Sequence, residues 1–309
     1  MPQQLAYFKK KLVPIEQANI SVLTHAFNYG TSCFEGIRGN WNEQEGKAYV
    51  FRPVEHFDRL RQSAKLLMIK LPHTTEELIT IMSELVAKCG YREDIYIRPV
   101  AYKSQHAVAN LRLHALEDDF HMLVMPLGNY LDVTKGQRCM TSTWRRIDDM
   151  AISPRAKMGG GYINSALAKT EAVMNGYDEA IMLTDEGHVS EGSGENIFIL
   201  SRGKLLTPPV TDNVLVGITR DAVMKVAKDE LGIETIERSI DRTELYNADE
   251  VFLTGTAAHL TPVVEIDHRD IGDGKIGSVT KKLQDMYFDI IRGVNKKYSN
   301  WCLPISIAK

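Results

Sequence analysis

Lys157-Met158-Gly159-Gly160-Gly161-Tyr162 sets a lone lysine before three glycines and a tyrosine, at the head of a segment with helical spacing. A lysine that is to form a Schiff base attacks as the free amine, so it needs little bulk beside it and a way of becoming neutral. Lys157 has the first of these. A lysine before a flexible loop is also how an ordinary solvated surface turn is written, and this hexapeptide alone reads better that way. The segments around it overturn that reading.

Downstream, Ile163 to Met174 has helical periodicity, as do Thr219 to Leu231 and Val279 to Arg292. Strand signals at Arg138 to Thr143, Glu179 to Thr184, Asn196 to Leu200, Glu250 to Leu253 and Leu260 to Ile266 are interleaved with them. Upstream, Ala48-Tyr49-Val50-Phe51 reads as a strand ahead of Pro53, a residue suited to the first turn of a helix. Val54, Phe57, Leu60, Ala64 and Leu67 then recur at helical spacing and predict one apolar face. Arg59 is nearly opposite Phe57 on that wheel, which predicts a solvated side chain. A second helix is expected from Thr74-Thr75-Glu76-Glu77 to Cys89-Gly90, and strands over Asp94 to Lys103 and Phe120 to Met125. Residues 126–136, rich in Pro, Gly, Asn and Asp, predict an interdomain connection. It separates a smaller N-terminal domain, 1–125, from a larger C-terminal domain, 137–309, that carries Lys157.

At 309 residues, 44% of them hydrophobic, the chain can bury a core in each of two domains. Its 37 basic and 40 acidic residues are well mixed and leave a net charge of −3, so no electrostatic footprint marks a nucleic-acid partner. Cys33, Cys89, Cys139 and Cys302 are too far apart for a CxxC pair or a zinc site, and are expected to be reduced and mostly buried. Met1-Pro2-Gln3-Gln4-Leu5 reaches Lys9-Lys10-Lys11 without an apolar core, and no apolar run is long enough for a bilayer. A soluble, cytoplasmic protein with no membrane partner is therefore expected.

Gly272-Asp273-Gly274-Lys275-Ile276-Gly277 fits GxGxxG, but no acidic residue follows at about 20 positions and no βαβ unit surrounds it. It is expected to be a turn into the last helix. Val216-Gly217-Ile218-Thr219-Arg220-Asp221 opens a helix whose N-terminal amides and dipole suit a phosphate, with an ordinary cap by Thr219 as the equal alternative. Ser190-Glu191-Gly192-Ser193-Gly194-Glu195-Asn196 puts two carboxylates in a glycine-rich loop before a strand. Such a carboxylate can pair with a ring nitrogen, although the segment alone reads better as a polar turn. Leu253-Thr254-Gly255-Thr256-Ala257-Ala258 ends a strand in small residues whose amides and hydroxyls can take an anion.

Six blocks in order, His25-Ala26-Phe27-Asn28-Tyr29-Gly30-Thr31-Ser32-Cys33-Phe34-Glu35-Gly36-Ile37-Arg38, Tyr96-Ile97-Arg98-Pro99, the lysine hexapeptide, SEGSGEN, GITRDA and TGTAAHLTP, cover nearly the whole chain. Together they resemble the fold-type-IV pyridoxal phosphate enzymes, and most closely the branched-chain amino acid aminotransferases. The resemblance implies a two-domain α/β fold of α+β type with pyridoxal 5′-phosphate at the domain interface, small amino and 2-oxo acids as substrates, and a homodimer or larger assembly. It implies that Lys157 forms the Schiff base and later shuttles a proton, that Glu191 pairs with the pyridine nitrogen, and that Tyr162 bonds the ring's phenolic oxygen. Arg59, Gly217, Ile218, Thr219 and Thr256 would hold the phosphate. Tyr96, with Thr256, Ala257 and Ala258, would hold the substrate α-carboxylate, with Arg38 orienting Tyr96. Tyr29, Phe34 and Tyr162 would wall an apolar pocket, Arg98 would reach the second carboxylate of glutamate, and Tyr130 would close the site.

Two departures bear on the substrate. Gly128-Asn129-Tyr130 stands where bacterial relatives often carry a tryptophan before the glycine, and Lys103 to His114 lacks their glycine-rich loop. A D-amino acid transaminase and an aminodeoxychorismate lyase share the fold and stay open, with Tyr96-Ile97-Arg98-Pro99 and Gly255-Thr256-Ala257-Ala258 favouring the branched-chain enzyme. A non-catalytic nucleotide-binding protein built on the glycine loops is the rival from another class.

Overall fold

A computed structural model describes residues 3–128 and 131–307. Among the described residues seven α-helices run in chain order: α1 (His25–Tyr29), α2 (Pro53–Leu66), α3 (Thr75–Cys89), α4 (Tyr162–Met174), α5 (Ile218–Leu231), α6 (Arg242–Tyr246) and α7 (Ser278–Ile291). The chain divides into two compact units, one of residues 1–128, 156–160 and 289–309, the other of 129–155 and 161–288.

The first unit is an antiparallel sheet in the order Cys302–Ser306, Lys47–Phe51, Ile37–Asn42, Ile95–Lys103, Asp118–Pro126, Leu5–Phe8, Lys11–Pro14. Ser32–Phe34 pairs with the far end of Ile95–Lys103. α2 and α3 belong to its core: Phe57, Leu60 and Ala64 of α2 and Leu78, Met82 and Leu85 of α3 are buried with Ile37, Ile95 and Met122 of the strands. Pro53 is the first residue of α2. α3 begins with a capping box in which Thr74 and Glu77 satisfy each other's backbone amides, and it ends at Gly90 in the left-handed region. Val54 departs from the expected face. It is 47% exposed, because the buried face of α2 runs through Pro53, His56, Phe57, Leu60, Ser63 and Ala64 and passes beside it.

The second unit is a mixed sheet in the order Val189–Gly192, Glu179–Leu183, Gln137–Arg145, His259–Ile266, Glu250–Gly255, Asn196–Ser201, Lys204–Thr207, Thr235–Glu237, with Arg269–Asp270 added to His259–Ile266. Gln137–Arg145 runs parallel to both its neighbours, and Lys204–Thr207 is parallel to Thr235–Glu237. The remaining pairs are antiparallel. Phe198 and Phe252 stack across adjacent strands at 5.0 Å between ring centroids. The Gly272–Gly277 segment is the expected turn ahead of α7, with Gly272 and Gly274 at positive φ.

The lysine segment belongs to the first unit, not to the C-terminal domain in which 137–309 would place it. Lys157 O accepts from Phe34 N at 3.0 Å, Gly159 N donates to Ser32 O at 2.8 Å and Gly160 N to Gly30 O at 3.1 Å. Cys302–Ser306 likewise returns to pair with Lys47–Phe51. Both are long-range backbone pairings, which residue spacing does not record.

Candidate active site

In the first unit the strand Ile95–Lys103 puts Tyr96 and Arg98 on one face, two residues apart. Arg98 Nη2 donates to the Tyr96 hydroxyl at 3.0 Å, and its guanidinium lies 4.1 Å from the Phe34 ring centroid. Among the described residues Arg98 has no carboxylate partner. Lys157 Nζ lies 5.2 Å from the same Phe34 centroid. The structure thus brings Lys157, Phe34, Tyr96 and Arg98 together around one aromatic ring. Gly36 is part of this geometry, since a Cβ there would stand 2.1 Å from the Tyr96 hydroxyl oxygen. Arg38 faces Tyr96 across the strands, and its Nη1 donates to Leu127 O at 2.7 Å and Gly128 O at 3.1 Å. The Tyr29 hydroxyl accepts from Ala109 N at 2.8 Å. Tyr130 lies outside the described residues.

Arg59 overturns the solvated reading. It is buried on α2, with Nε 2.7 Å from Glu35 Oε1 and Nη2 2.8 Å from Glu35 Oε2. His56 Nδ1 adds a third bond to Glu35 Oε2 at 2.8 Å. Burial raises the Glu35 carboxyl, but the Arg59 charge and these bonds outweigh it and hold the group down at about 2. His56 is lowered, with burial the leading cause and Glu35 opposing it. Neither Glu35 nor His56 stood out in the sequence. Glu35 is one carboxylate among many, and only its burial between Ser32–Phe34 and Ile37–Asn42 turns it into the partner that carries Arg59 inward.

In the second unit, the Ser190–Asn196 segment is not a polar turn: Glu191, Glu195 and Asn196 are all buried. Glu191 Oε1 meets Arg146 Nη2 at 2.9 Å, and Oε2 accepts from Asn196 Nδ2 and from Leu215 N, each at 3.0 Å. Arg146 and Asn196 thus hold the Glu191 carboxylate, a role that spacing did not reveal for either. Asn196 also donates to Leu215 O at 2.9 Å, so one side chain links Glu191 to the chain leading into α5. Gly217, the residue before α5, makes room for it, because a Cβ there would lie 1.9 Å from Asn196 Oδ1.

The capping alternative for Thr219 fails. No side chain caps α5, Thr219 lies inside the helix, and its Oγ1 is buried without a hydrogen-bond partner. That hydroxyl stands at the N-terminus of a helix of 14 residues, where the first amides of any helix lack intrahelical acceptors. Thr256, Ala257 and Ala258 form the turn between Glu250–Gly255 and His259–Ile266, closed by Gly255 pairing with His259. His259 takes φ of 58°, the left-handed residue that completes a three-residue hairpin turn. Tyr162 is the first residue of α4.

The sequence profile of the class IV amino-transferases matches residues 32–266. The chain belongs to that family. It is 50% identical to a probable branched-chain-amino-acid aminotransferase of Aquifex aeolicus, over 97% of this chain and 96% of the relative. A branched-chain aminotransferase of Thermoproteus uzoniensis, solved with norvaline, superimposes with a TM-score of 0.93 at 44% identity, covering 98% of this chain and 99% of that one. The branched-chain amino acid aminotransferase of Thermobaculum terrenum, solved in its PLP form, also gives 0.93, at 36% identity over 99% of each chain. The two-unit mixed fold is the one expected. All four cysteines are free and buried. Among the described residues no group of metal-binding side chains gathers, and no helix is long and apolar enough to cross a membrane.

Proposed function

We propose that the chain is a pyridoxal 5′-phosphate-dependent transaminase, exchanging the amino group between L-leucine, L-isoleucine or L-valine and 2-oxoglutarate by a ping-pong route. The residues present fit the cofactor: a buried hydroxyl without a partner costs roughly 1–3 kcal/mol, and Thr219 Oγ1 at the head of α5 regains that with a phosphate oxygen. By the resemblance, Gly217, Ile218, Thr256 and Arg59 would be the phosphate's further partners. When bound, the cofactor supplies an aldehyde that captures amines and a ring that takes up the electron pair left at Cα.

Lys157 would supply the amine for the aldehyde and a base for the Cα proton. Glu191, paired with Arg146, would favour a proton on the ring nitrogen. Tyr162 would donate to the ring's phenolic oxygen. By the resemblance, Tyr96 and the amides of Thr256, Ala257 and Ala258 would take the α-carboxylate. Arg38 steadies the strand pair from which Tyr96 projects. Phe34, Tyr29 and Tyr162 receive the aliphatic side chain.

The observation that carries the dual substrate is Arg98, stacked on Phe34 and bonded to Tyr96, with no carboxylate of its own among the described residues. A structural ion pair would have consumed it. Here an apolar ring and a charged fork share one wall, which suits a branched chain in one half-reaction and a second carboxylate in the other. A charged hydrogen bond contributes about 1.5–3 kcal/mol, so Arg98→Ala should lower the specificity constants for glutamate and 2-oxoglutarate by ~10- to 150-fold. Leucine and valine should lose far less. Single-turnover rates with leucine and glutamate decide it, and equal losses for both would remove Arg98 from substrate reading. Parallel incubation with D-alanine and aminodeoxychorismate tests the two rivals of the same fold.

The same reading makes the protein a cytoplasmic homodimer. Phe27 and Leu111 are 66% and 72% exposed, Val22 and Val108 are exposed beside them, and Ala107 N donates to Leu23 O to join the two segments. We assign this apolar patch to a second copy of the chain. Phe27→Asp should shift the sedimenting species to the monomer, and an unchanged species would place the dimer contact elsewhere.

A further inference from the structure

Three carboxyls are buried together at the strand ends of the second unit, those of Glu179, Glu191 and Glu195. Two cations serve them: Lys169 Nζ is 2.6 Å from Glu179 Oε2, and Arg146 Nη2 is 2.9 Å from Glu191 Oε1. Glu195 has no ion pair among the described residues. Its Oε2 accepts from Gly194 N at 3.0 Å, and the carboxyl folds over Gly192, where a Cβ would lie 2.8 Å from Oε2. The charged and titratable groups that face it are Glu179, Glu191 and Lys169, together with the Cys139 thiol.

An ionised carboxylate in that place would be a third buried anion with no cation of its own, and burial neutralises such a group instead of stabilising its charge. We infer that Glu195 is held as a neutral carboxylic acid in the glycine loop, so that Glu191 alone of the loop's two carboxyls carries charge at the ring-nitrogen end. The role given to Glu191 rests on the proposed function, whereas the protonation of Glu195 does not. Burial, and after it the charge of Glu179, push the Glu195 carboxyl up to about 8. Above that pH a second negative charge forms in the loop and makes every proton nearby harder to release.

Infrared spectroscopy of the full chain, with and without pyridoxal phosphate, reads this directly. A carboxylic-acid carbonyl band is expected at neutral pH, shifted in D2O, lost with a midpoint near pH 8, absent from Glu195→Gln and retained in Glu179→Gln. Folding gives a second readout. Between the ordinary carboxyl pKa of 4.5 and about 8, the unfolded chain releases a proton that the folded chain keeps, so stability falls as pH rises. Relative to Glu195→Gln, the parent's folding constant should drop by up to about tenfold per pH unit in that window. With cofactor bound, Glu195→Gln should keep the parent's visible absorbance at neutral pH and lose the titration step near 8.

A parent without the band, a band that survives Glu195→Gln, or two stability curves that stay parallel would overturn the inference. If Glu195→Gln does not fold, the band's titration in the parent and its survival in Glu179→Gln decide the assignment. A protein that shows the band but no transamination would refute the proposed function and leave this inference standing.

Discussion

Glu35 and Glu191 are both carboxylates buried against an arginine, but they are satisfied in different ways. Glu35 takes two guanidinium nitrogens of Arg59 and the ring of His56, so its charge is met by a bidentate fork and a further donor. Glu191 meets Arg146 through one oxygen, and a neutral amide and a backbone N–H through the other. The first arrangement locks an arginine in place. The second fixes the direction of a carboxylate with one charged and two neutral donors, which suits the ring-nitrogen role proposed for Glu191. A shared residue pair therefore does not imply a shared role, and the kind of donor on each oxygen separates the two.

The largest expected effect on folding tests the first arrangement. Removing the charge of Glu35 leaves Arg59 buried without that anion, so Glu35→Gln should cost about 3–5 kcal/mol in denaturant unfolding. The pH dependence has a defined sign. A carboxyl whose folded pKa is about 2 contributes stability that is complete above its ordinary value of 4.5 and disappears as pH falls from there toward about 2. The variant should lose that part of the acid limb. An unchanged acid limb would mean that Glu35 and Arg59 are not coupled in solution.

The second arrangement should fail in chemistry before it fails in folding. Glu191→Gln keeps an oxygen for Asn196 or Leu215 but removes the anion, so Cα proton abstraction should slow by roughly 100- to 1,000-fold, about 2.7–4 kcal/mol, with cofactor retained. Stopped-flow absorbance of the half-reaction measures it. The comparison collapses if Glu195→Gln produces that loss and Glu191→Gln does not.

Lys157 supplies the smallest effect on folding. Its backbone makes structural bonds, N to Ser63 Oγ at 3.1 Å and O from Phe34 N at 3.0 Å, and alanine preserves both. Lys157→Ala should change stability by less than ~1 kcal/mol while abolishing the visible band that borohydride removes from the parent. Turnover near that of the parent would show that another lysine forms the Schiff base.

Much of this protein is written locally. Pro53, the Thr74 and Glu77 capping box and Gly90 bound α2 and α3 because each acts on the first or last turn beside it. Strand alternation set Tyr96 and Arg98 on one face for the same reason. The strands Leu5–Phe8, Lys11–Pro14, Lys204–Thr207 and Cys302–Ser306 were not legible, since none alternates apolar and polar residues. The ordered motifs carried Lys157 and Glu191, since each glycine-rich block holds its own acid or amine.

What the tertiary structure alone decided is which charges meet. Arg59 sits on the polar side of its helix by spacing and is nevertheless buried, because Glu35 arrives from a different part of the chain. Arg146 reaches Glu191 from 45 positions away, and Lys157 joins the first unit through backbone bonds to residues 30–34. Periodicity records how a side chain relates to its own axis. Whether a charge is paired, and so whether it can be buried, depends on residues brought near only by folding.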